Sequence, residues 1–272
     1  MGKGTLWKRT ASGVVFLAIV IGCLLHPLAL LALSAFLAVA LSHEFYRLTT
    51  DPRFRKEEVL VMTAMVVTLF LFYALPVRWL PLGLLPVVAA WVCQLFDGSR
   101  EHAFVTEPYF PLLYILPMLL SLLRLSLVQE AFTWRLTLGV FVIIWMNDVG
   151  AYCIGMLFGQ RPDSRKLFPA LSPKKSWIGA VGGLLFSLVA AWAVWKLWGS
   201  PVLALPHWLV IALIESTFGV TGDLFESLIK RHAGVKDAGT LIPGHGGLLD
   251  RFDDALFVLP LVTVYLLVLQ LI

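Results

Sequence analysis

The sequence predicts an all-α, polytopic integral membrane protein with about nine transmembrane helices and a cytoplasmic N-terminus. First, the chain is 59% hydrophobic and only 14% charged, whereas roughly a quarter of the residues in a soluble domain are charged. Second, its apolar runs have about the 20 residues that a helix needs to cross a bilayer. Third, basic residues concentrate in alternate connections, as they do in cytoplasmic loops. Little chain remains for a water-soluble domain, so any chemistry must occur in loops and at helix ends.

The apolar runs predict the helices in order along the chain. The first run follows Lys3, Lys8 and Arg9, and because it lacks a small-x-small cleavage site we expect an uncleaved first helix. Pro27 disfavours a helical conformation at the residue before it, so a turn separates this helix from the second. The further predicted helices cover roughly 28–46, 59–75, 79–96, 109–128, 136–158, 177–198, 207–231 and 255–272.

The distribution of basic residues predicts the topology. With the N-terminus in the cytoplasm, all but four of the 21 Lys and Arg residues fall on the cytoplasmic side. The exceptions are Arg78, Arg124, Arg135 and Lys196. Such a bias is typical of cytoplasmic loops. We therefore expect a multi-pass protein of the inner (cytoplasmic) membrane, with its two most polar segments, 159–176 and 230–251, facing the cytoplasm.

Cysteine usage argues against a zinc site. Cys23, Cys93 and Cys153 lie singly in apolar runs, where they behave as small buried hydrophobic residues. None of them has the spacing of a zinc ligand. The net charge of +4 is modest, and among the partners we expect the lipid bilayer and no nucleic acid.

A polar pair lies deep in the sixth predicted helix. Asp148, preceded by Asn147, is about 12 residues from the outer end, or roughly 18 Å at 1.5 Å per residue. An aspartate at such a depth costs at least about 2.5–3.5 kcal/mol, so it should face a cavity or a partner. Tyr152 follows one turn later on the same face. A helix-packing hydrogen bond, aided by Gly150 and Gly155, is the alternative.

Four polar residues share one face near the end of the eighth predicted helix. Asp223, Glu226, Ser227 and Lys230 recur at three- and four-residue steps. A solvated helix end with a Glu226–Lys230 pair explains two of them well. It explains Asp223 poorly, because this residue is deeper and is flanked by Gly222 and apolar residues. Asp223 is therefore a candidate for chemistry.

A glycine-rich segment and a group of acids follow this helix. Gly244, Gly246 and Gly247 surround His245, which suits a loop whose backbone must approach a ligand closely. Exposed peptide N–H groups of such loops commonly hold phosphate, although a simple re-entrant turn would look similar. The acids that come next are Asp250, Asp253 and Asp254. Carboxylates beside Lys and Arg predict Mg²⁺ with a phosphate ligand.

A basic segment precedes the seventh predicted helix. Ser172, Lys174, Lys175 and Ser176 surround the rigid Pro173. A helix N-terminus with two lysines favours an anion. The alternative is the ordinary enrichment of basic residues in cytoplasmic loops.

Together these motifs resemble the CDP-diacylglycerol synthases, also called phosphatidate cytidylyltransferases. The resemblance covers about residues 145–254. The C-terminal motif that carries it comprises Ser227, Lys230, Arg231, Lys236, Asp237, Gly239, Ile242, Pro243, Gly244, His245, Gly246, Gly247, Asp250, Arg251 and Asp253. Two upstream motifs of the family are similar to Asn147, Asp148, Ala151 and Tyr152, and to Ser172, Pro173, Lys175, Ser176 and Trp177. Ile178 occupies a position where the family usually has Glu.

The resemblance implies the reaction of CTP with phosphatidate, which gives CDP-diacylglycerol and pyrophosphate. It implies that Asp223 and Asp250 converge on one Mg²⁺, and it leaves Asp148 as a candidate for a second cation such as K⁺. The implied catalytic residues are Asp148, Lys175, Asp223, Lys230, Arg231, Lys236, Asp237, His245, Asp250 and Arg251. The implied substrate-binding residues are Asn147, Tyr152, Ser172, Lys174, Lys175, Ser176, Ser227, Gly244, Gly246 and Gly247.

The predicted organisation is a set of N-terminal transmembrane helices over 1–135 and a C-terminal catalytic transmembrane region over 136–272. Two other functions stay open. One is a CTP-dependent enzyme that acts on another lipid phosphate or a lipid alcohol. The other is a cation transporter that uses Asp148 and Asp223, which predicts inverted repeats that the sequence does not display. The Gly- and Ala-rich helices also permit a homodimer.

Overall fold

The computed structural model describes residues 3–49, 55–74, 109–128, 131–161, 164–198, 202–244 and 246–272. The described residues of the N-terminal part form three long helices and two short ones. They are α1 (Lys3–Leu24), α2 (Pro27–Thr49), α3 (Arg55–Ala74), α4 (Phe110–Tyr114) and α5 (Leu116–Leu125). A small antiparallel hairpin, β1 (Leu127–Val128) with β2 (Ala131–Phe132), connects them to the rest of the chain.

The C-terminal part contains the remaining long helices. In chain order they are α6 (Arg135–Phe158), α7 (Trp177–Trp198), α8 (Leu205–Ile214), α9 (Val220–His232) and α10 (Leu249–Val268). An antiparallel hairpin of β3 (Lys166–Phe168) and β4 (Ser172–Ser176) joins α6 to α7. One π-helical turn, Glu215–Gly219, joins α8 to α9.

The all-α, polytopic membrane class is confirmed. Within the described ranges, five helical segments are long and apolar enough to cross a membrane, namely Pro27–Thr49, Lys56–Ala74, Arg135–Phe158, Trp177–Trp198 and Leu205–His232. Thr10–Leu24 and Phe110–Leu125 are shorter apolar helices. The helix predicted over 79–96 lies outside the described residues. The total of nine spans and the cytoplasmic N-terminus therefore stay predictions.

Two predicted helices are interrupted. The helix expected over 109–128 breaks between α4 and α5, because Pro117 lacks the N–H that a continuous helix would use. Its second part, α5, ends at Leu125. The helix expected over 207–231 contains the π-helical turn, which bulges the backbone around Glu215. A Cβ at Gly219 would lie 2.5 Å from Glu215 Oε1, so a glycine at this position leaves room for the buried carboxylate.

Close packing joins the helices that carry the polar motifs. α6 and α7 approach through glycines, since a Cβ at Gly150 would lie 2.6 Å from the carbonyl oxygen of Gly182. An aromatic cluster packs α2 and α4 against α9 and α10, with ring centroids 5.4–6.5 Å apart. Its members are Phe45, Phe110, Tyr114, Phe225 and Phe257. The N-terminal helices therefore form part of the support for the C-terminal site.

Candidate active site

Carboxylates from three elements meet near the start of α10. Oxygens of Asp223, Asp253 and Asp254 all lie within 4.8 Å of one another. Asp148, from α6, lies close enough to Asp223 and Asp254 for their charges to interact. Carboxylates this close repel one another unless a proton or a cation lies between them. The group formed by Asp223, Asp253 and Asp254 could therefore hold a metal ion, and we call it the acidic cluster.

The crossing of α9 and α10 brings the acidic cluster together. At the crossing a Cβ on Gly222 would lie 2.5 Å from the carbonyl oxygen of Asp253. Only a glycine allows the two backbones to approach this closely. The sequence pair Gly222–Asp223 thus has a structural explanation, because the glycine lets α10 place its aspartates beside Asp223.

A lysine neutralises one edge of the cluster. Lys175, at the end of β4, places Nζ 2.5 Å from Oδ2 of Asp223. Burial alone would lower the pKa of Lys175, but the charges of Asp223 and Asp254 outweigh it and raise this pKa. The ammonium group therefore stays protonated. Ser227 Oγ donates a hydrogen bond of 3.3 Å to Asp223 Oδ1, which orients the same carboxylate.

Asp250 has a different environment. Its Oδ1 lies 2.7 Å from Lys230 Nζ, and its Oδ2 accepts the N–H groups of Ala238 at 2.9 Å and Gly247 at 2.8 Å. Burial would raise the pKa of Asp250, but the hydrogen bond and charge of Lys230 outweigh it and lower this pKa. Lys230 also pairs with the buried Glu226. Asp250 thus joins the glycine-rich loop to α9.

One of the two metal ligands expected from the sequence belongs to the acidic cluster. The acidic cluster contains Asp223, as expected, together with Asp253 and Asp254. Asp250 already contacts one ammonium group and two peptide N–H groups. Its convergence with Asp223 on one metal stays a prediction.

The glycine-rich loop has the tight backbone that its composition predicts. Gly244 and Gly246 adopt φ angles of +78° and +88°, which side-chain-bearing residues rarely adopt. A Cβ at Gly247 would lie 2.6 Å from the backbone nitrogen of Gly239. The loop folds back on itself through a hydrogen bond of 3.0 Å from Ile242 N–H to the carbonyl oxygen of Gly246. His245, a predicted catalytic residue, lies outside the described residues.

Three predicted substrate-binding residues have other surroundings. Asn147 is buried and donates a hydrogen bond of 3.1 Å to Ser216 Oγ in the π-helical turn. Ser176 Oγ is buried and accepts the N–H of Gly179, so it caps α7. Tyr152 is 68% exposed on α6. The contacts of Asn147 are those of the packing alternative, and the role of all three residues in substrate binding stays a prediction.

The remaining predicted residues surround the loop or the hairpin. Arg231 is exposed and donates to the carbonyl oxygen of Val235 at 3.1 Å. The side chains of Lys236, Asp237 and Arg251 are exposed as well. In the hairpin Lys174 is exposed, and Ser172 is partly exposed and pairs with Phe168. Of these residues, Arg231, Lys236 and Arg251 border the loop that Asp250 holds, because they lie in or next to it along the chain.

Two buried glutamates near the site were not among the residues predicted from the sequence. Glu215, in the π-helical turn, is 1% exposed, and neither carboxylate oxygen has a hydrogen-bond partner among the described residues. Its strongest electrostatic neighbours are Asp148 and Asp253, so it faces the acidic cluster. Its position inside an apolar run is a usable signal, because an intramembrane acid is a candidate site residue by default. The second acid, Glu44 in α2, has no comparable signal because it lies near the polar end of its helix.

The fold and the site define a polytopic membrane protein with a carboxylate-rich site beside a glycine loop and basic residues. Residues 7–269 match the model of the cytidylyltransferase family, and the chain belongs to this family. It is 47% identical over 127 residues to a phosphatidate cytidylyltransferase of Staphylococcus saprophyticus and 45% identical over 127 residues to that of Staphylococcus haemolyticus. In both cases the match covers 47% of this chain and 47% of the relative, so the chain spans about half the length of these curated relatives.

Proposed function

We propose that this protein is a phosphatidate cytidylyltransferase, which transfers a cytidylyl group from CTP to phosphatidate and releases CDP-diacylglycerol and pyrophosphate. The observation that carries the proposal is the acidic cluster of Asp223, Asp253 and Asp254 beside Lys175, in a chain of the cytidylyltransferase family. The names of the curated relatives support the choice of phosphatidate.

The reaction makes modest chemical demands on the protein. A phosphate oxygen of phosphatidate forms a bond to the α-phosphorus of CTP while the bond to the bridging oxygen of pyrophosphate breaks. A phosphate monoester is largely ionised at neutral pH, so no strong general base is needed. The residues must hold two anionic substrates in line and offset their charge. The basic and acidic groups around the cluster suit this task.

The acidic cluster fits Mg²⁺, which prefers one or two carboxylates and completes its shell with phosphate oxygens and water. Asp223, Asp253 and Asp254 would hold the ion, and when bound it would neutralise the triphosphate. Asp148 and Glu215 flank the cluster and are candidates for a second cation such as K⁺. The oxygens of Glu215 have no partner within the described part of the chain, which supports this assignment because a buried carboxylate without a counter-charge is costly.

The phosphates of CTP are proposed to lie between the cluster and the glycine-rich loop. When CTP binds, the ammonium group of Lys175 would leave Asp223 and contact a phosphate of CTP. The exposed Arg231, Lys236 and Arg251 border the loop and would bind further phosphate oxygens. Peptide N–H groups near Gly244 and Gly246 are additional donors.

The lipid headgroup is proposed to enter a cavity at the ends of α6 and α7. The cavity measures about 360 Å³ and is lined by Phe158, Arg161, Ser164, Arg165, Trp177 and Ile178. Two guanidinium groups suit a phosphate. The exposed Trp177 and Ile178 suit the acyl-chain side of a bilayer boundary. β4 carries Lys175 immediately before this cavity, so the headgroup would lie near the cluster.

The site is proposed to face the cytoplasm, where CTP is available. The support is the enrichment of basic residues in the loops on this side. Because the named relatives are bacterial, the inner membrane is the proposed location. A homodimer remains part of the proposal, since glycine-rich helices allow close contact between copies.

The proposal is tested with purified protein in detergent, labelled CTP, Mg²⁺ and phosphatidate. The wild-type protein should form labelled CDP-diacylglycerol, and Asp254→Asn should reduce the rate at least about 100-fold because it removes a charge from the cluster. Glu58→Gln is the matched control, since Glu58 pairs with His43 on other helices. Wild-type protein that uses an isoprenoid phosphate or an ether-lipid acceptor instead of phosphatidate would overturn the assignment, as would an Asp254→Asn variant at full rate.

A further inference from the structure

A buried glutamate from α2 caps the helix that carries the acidic cluster. Glu44 is 7% exposed. Its Oε1 accepts the N–H of Leu248 at 3.0 Å, and its Oε2 accepts the N–H of Leu249 at 2.8 Å. The first N–H groups of a helix have no partner within the helix. The carboxylate of Glu44 therefore supplies a cap for α10 that the N-cap residue, Leu248, does not itself provide.

The same carboxylate lies against two glycines of the loop. A Cβ at Gly239 would lie 2.5 Å from Glu44 Oε1, and a Cβ at Gly247 would lie 2.8 Å from Oε2. Gly247 in turn donates its N–H to Asp250 Oδ2. Three successive peptide groups at the start of α10 are thus held by two carboxylates, Asp250 for the first and Glu44 for the next two.

Packing alone does not require a charge at this place. Burying a carboxylate is costly unless it is hydrogen-bonded or paired, and an apolar side chain would fill the space between α2 and α10 more cheaply. Glu44 retains two charge-assisted hydrogen bonds, which are shorter and stronger than neutral ones. They fix the backbone only a few residues before Asp253 and Asp254.

We propose that Glu44 is a positioning residue for the reaction. It holds the glycine-rich loop and the first turn of α10, so that Asp253 and Asp254 face Asp223. This inference rests on the proposed function. It also gives α2, outside the motifs that carry the family resemblance, a part in the active site.

Glu44→Gln tests the inference with little change in volume. A glutamine has one acceptor oxygen, and its NH₂ group would face a peptide N–H, so one hydrogen bond is lost and two donors oppose each other. We expect the KM for CTP to rise about tenfold, with a smaller loss of kcat. Hydrogen exchange of the amides over 246–250, measured without substrates, should also accelerate.

Ser42→Ala is the matched control. Ser42 is buried in the same helix, but it bonds to Met65 Sδ in α3 and not to the loop. The KM of the Ser42→Ala variant for CTP and the hydrogen exchange of its amides over 246–250 should equal those of the wild type. If Glu44→Gln lowers kcat with an unchanged KM, the role is merely structural and the inference fails. Unchanged exchange over 246–250 overturns the inference even if the protein makes no CDP-diacylglycerol, which would separately overturn the proposed function.

A second test asks whether removing the Glu44 side chain suppresses the effect of an alanine at Gly239. The three atoms nearest to a Cβ at Gly239 all belong to Glu44. Gly239→Ala should therefore reduce kcat/KM strongly in the wild type and several-fold less in a Glu44→Ala background, where the obstructing carboxylate is gone. Equal losses in the two backgrounds would contradict the contact. Gly22→Ala, where a Cβ meets nothing within 4 Å, controls for a general effect of the substitution.

Discussion

At the residue scale, the charges of the site divide into two connected groups. Lys175 pairs with Asp223 at the acidic cluster, whereas Lys230 pairs with Glu226 and with Asp250 at the glycine-rich loop. The first group retains several carboxylates close together, which suits a cation. In the second group, the ammonium group of Lys230 and two peptide N–H groups already neutralise and bind the carboxylates. The two aspartates that the sequence assigned to one metal thus have different neighbours in the structure.

The Asp250→Asn variant tests whether Asp250 anchors the glycine-rich loop or binds the metal ion. If Asp250 anchors the loop, the variant loses its ion pair with Lys230 and the loop loosens. We expect the KM for CTP to rise several-fold while the Mg²⁺ concentration for half-maximal rate stays that of the wild type. Steady-state assays with varied CTP and varied Mg²⁺ measure both quantities. A large increase in the Mg²⁺ concentration for half-maximal rate, of the kind expected for Asp254→Asn, would indicate that Asp250 is a metal ligand.

At the element scale, two local features decide where the acids point. The π-helical turn lets Glu215 face inward from a helix that would otherwise continue regularly. The crossing of α9 and α10 at Gly222 brings Asp253 beside Asp223. Both features use a glycine where a Cβ would clash, at Gly219 with the carboxylate of Glu215 and at Gly222 with the backbone of Asp253. The geometry of the cluster therefore depends on small residues that have no chemistry of their own.

Gly222→Ala should disturb this crossing. The added Cβ would lie 2.5 Å from the carbonyl oxygen of Asp253, so α10 must shift. Overpacking of this kind costs about 1–3 kcal/mol, and we expect a lower midpoint of thermal unfolding together with at least a tenfold lower rate of CDP-diacylglycerol formation. Gly22→Ala in α1, which meets no neighbour, should leave both unchanged. Wild-type activity in Gly222→Ala would show that the crossing tolerates a wider separation.

The cavity between the ends of α6 and α7 makes a second prediction at this scale. Ile178→Glu restores the residue that the family usually has, but it places a negative charge beside Arg161 and Arg165. If the cavity binds the lipid phosphate, the KM for phosphatidate should rise several-fold while the KM for CTP stays constant. Ile178→Gln controls for polarity without charge. An unchanged KM for phosphatidate in both variants would place the headgroup elsewhere.

At the scale of the whole molecule, the N-terminal helices support the C-terminal site. The aromatic cluster packs Phe45 and Tyr114 against Phe225 and Phe257, and Glu44 reaches the first turn of α10. Ser12 in α1 also donates a hydrogen bond of 2.9 Å to the carbonyl oxygen of Pro243. The family match extends over residues 7–269, which agrees with one continuous membrane unit.

The orientation of this unit can be measured directly. Lys174 lies in β4, just before α7 begins, and Lys196 lies in the last turn of α7, so cysteines at these positions should be labelled from opposite sides of the membrane. In a background with Cys23, Cys93 and Cys153 replaced by serine, a membrane-impermeant maleimide should label Lys174→Cys only from the cytoplasmic side. Lys196→Cys should react only from the other side. The reverse pattern would contradict the proposed topology, because the site would then face the side of the membrane without CTP.

The sequence by itself determined the membrane class, the family resemblance and most of the residues around the site. Apolar run length and charge placement report directly on the bilayer, and the family motif lies within one C-terminal stretch. Only the tertiary structure decided which acids meet. Asp253 and Asp254 join Asp223 because two helices cross at a glycine, and Glu44 caps α10 across more than 200 residues of chain. Such contacts depend on helix packing, which local spacing in a sequence does not encode.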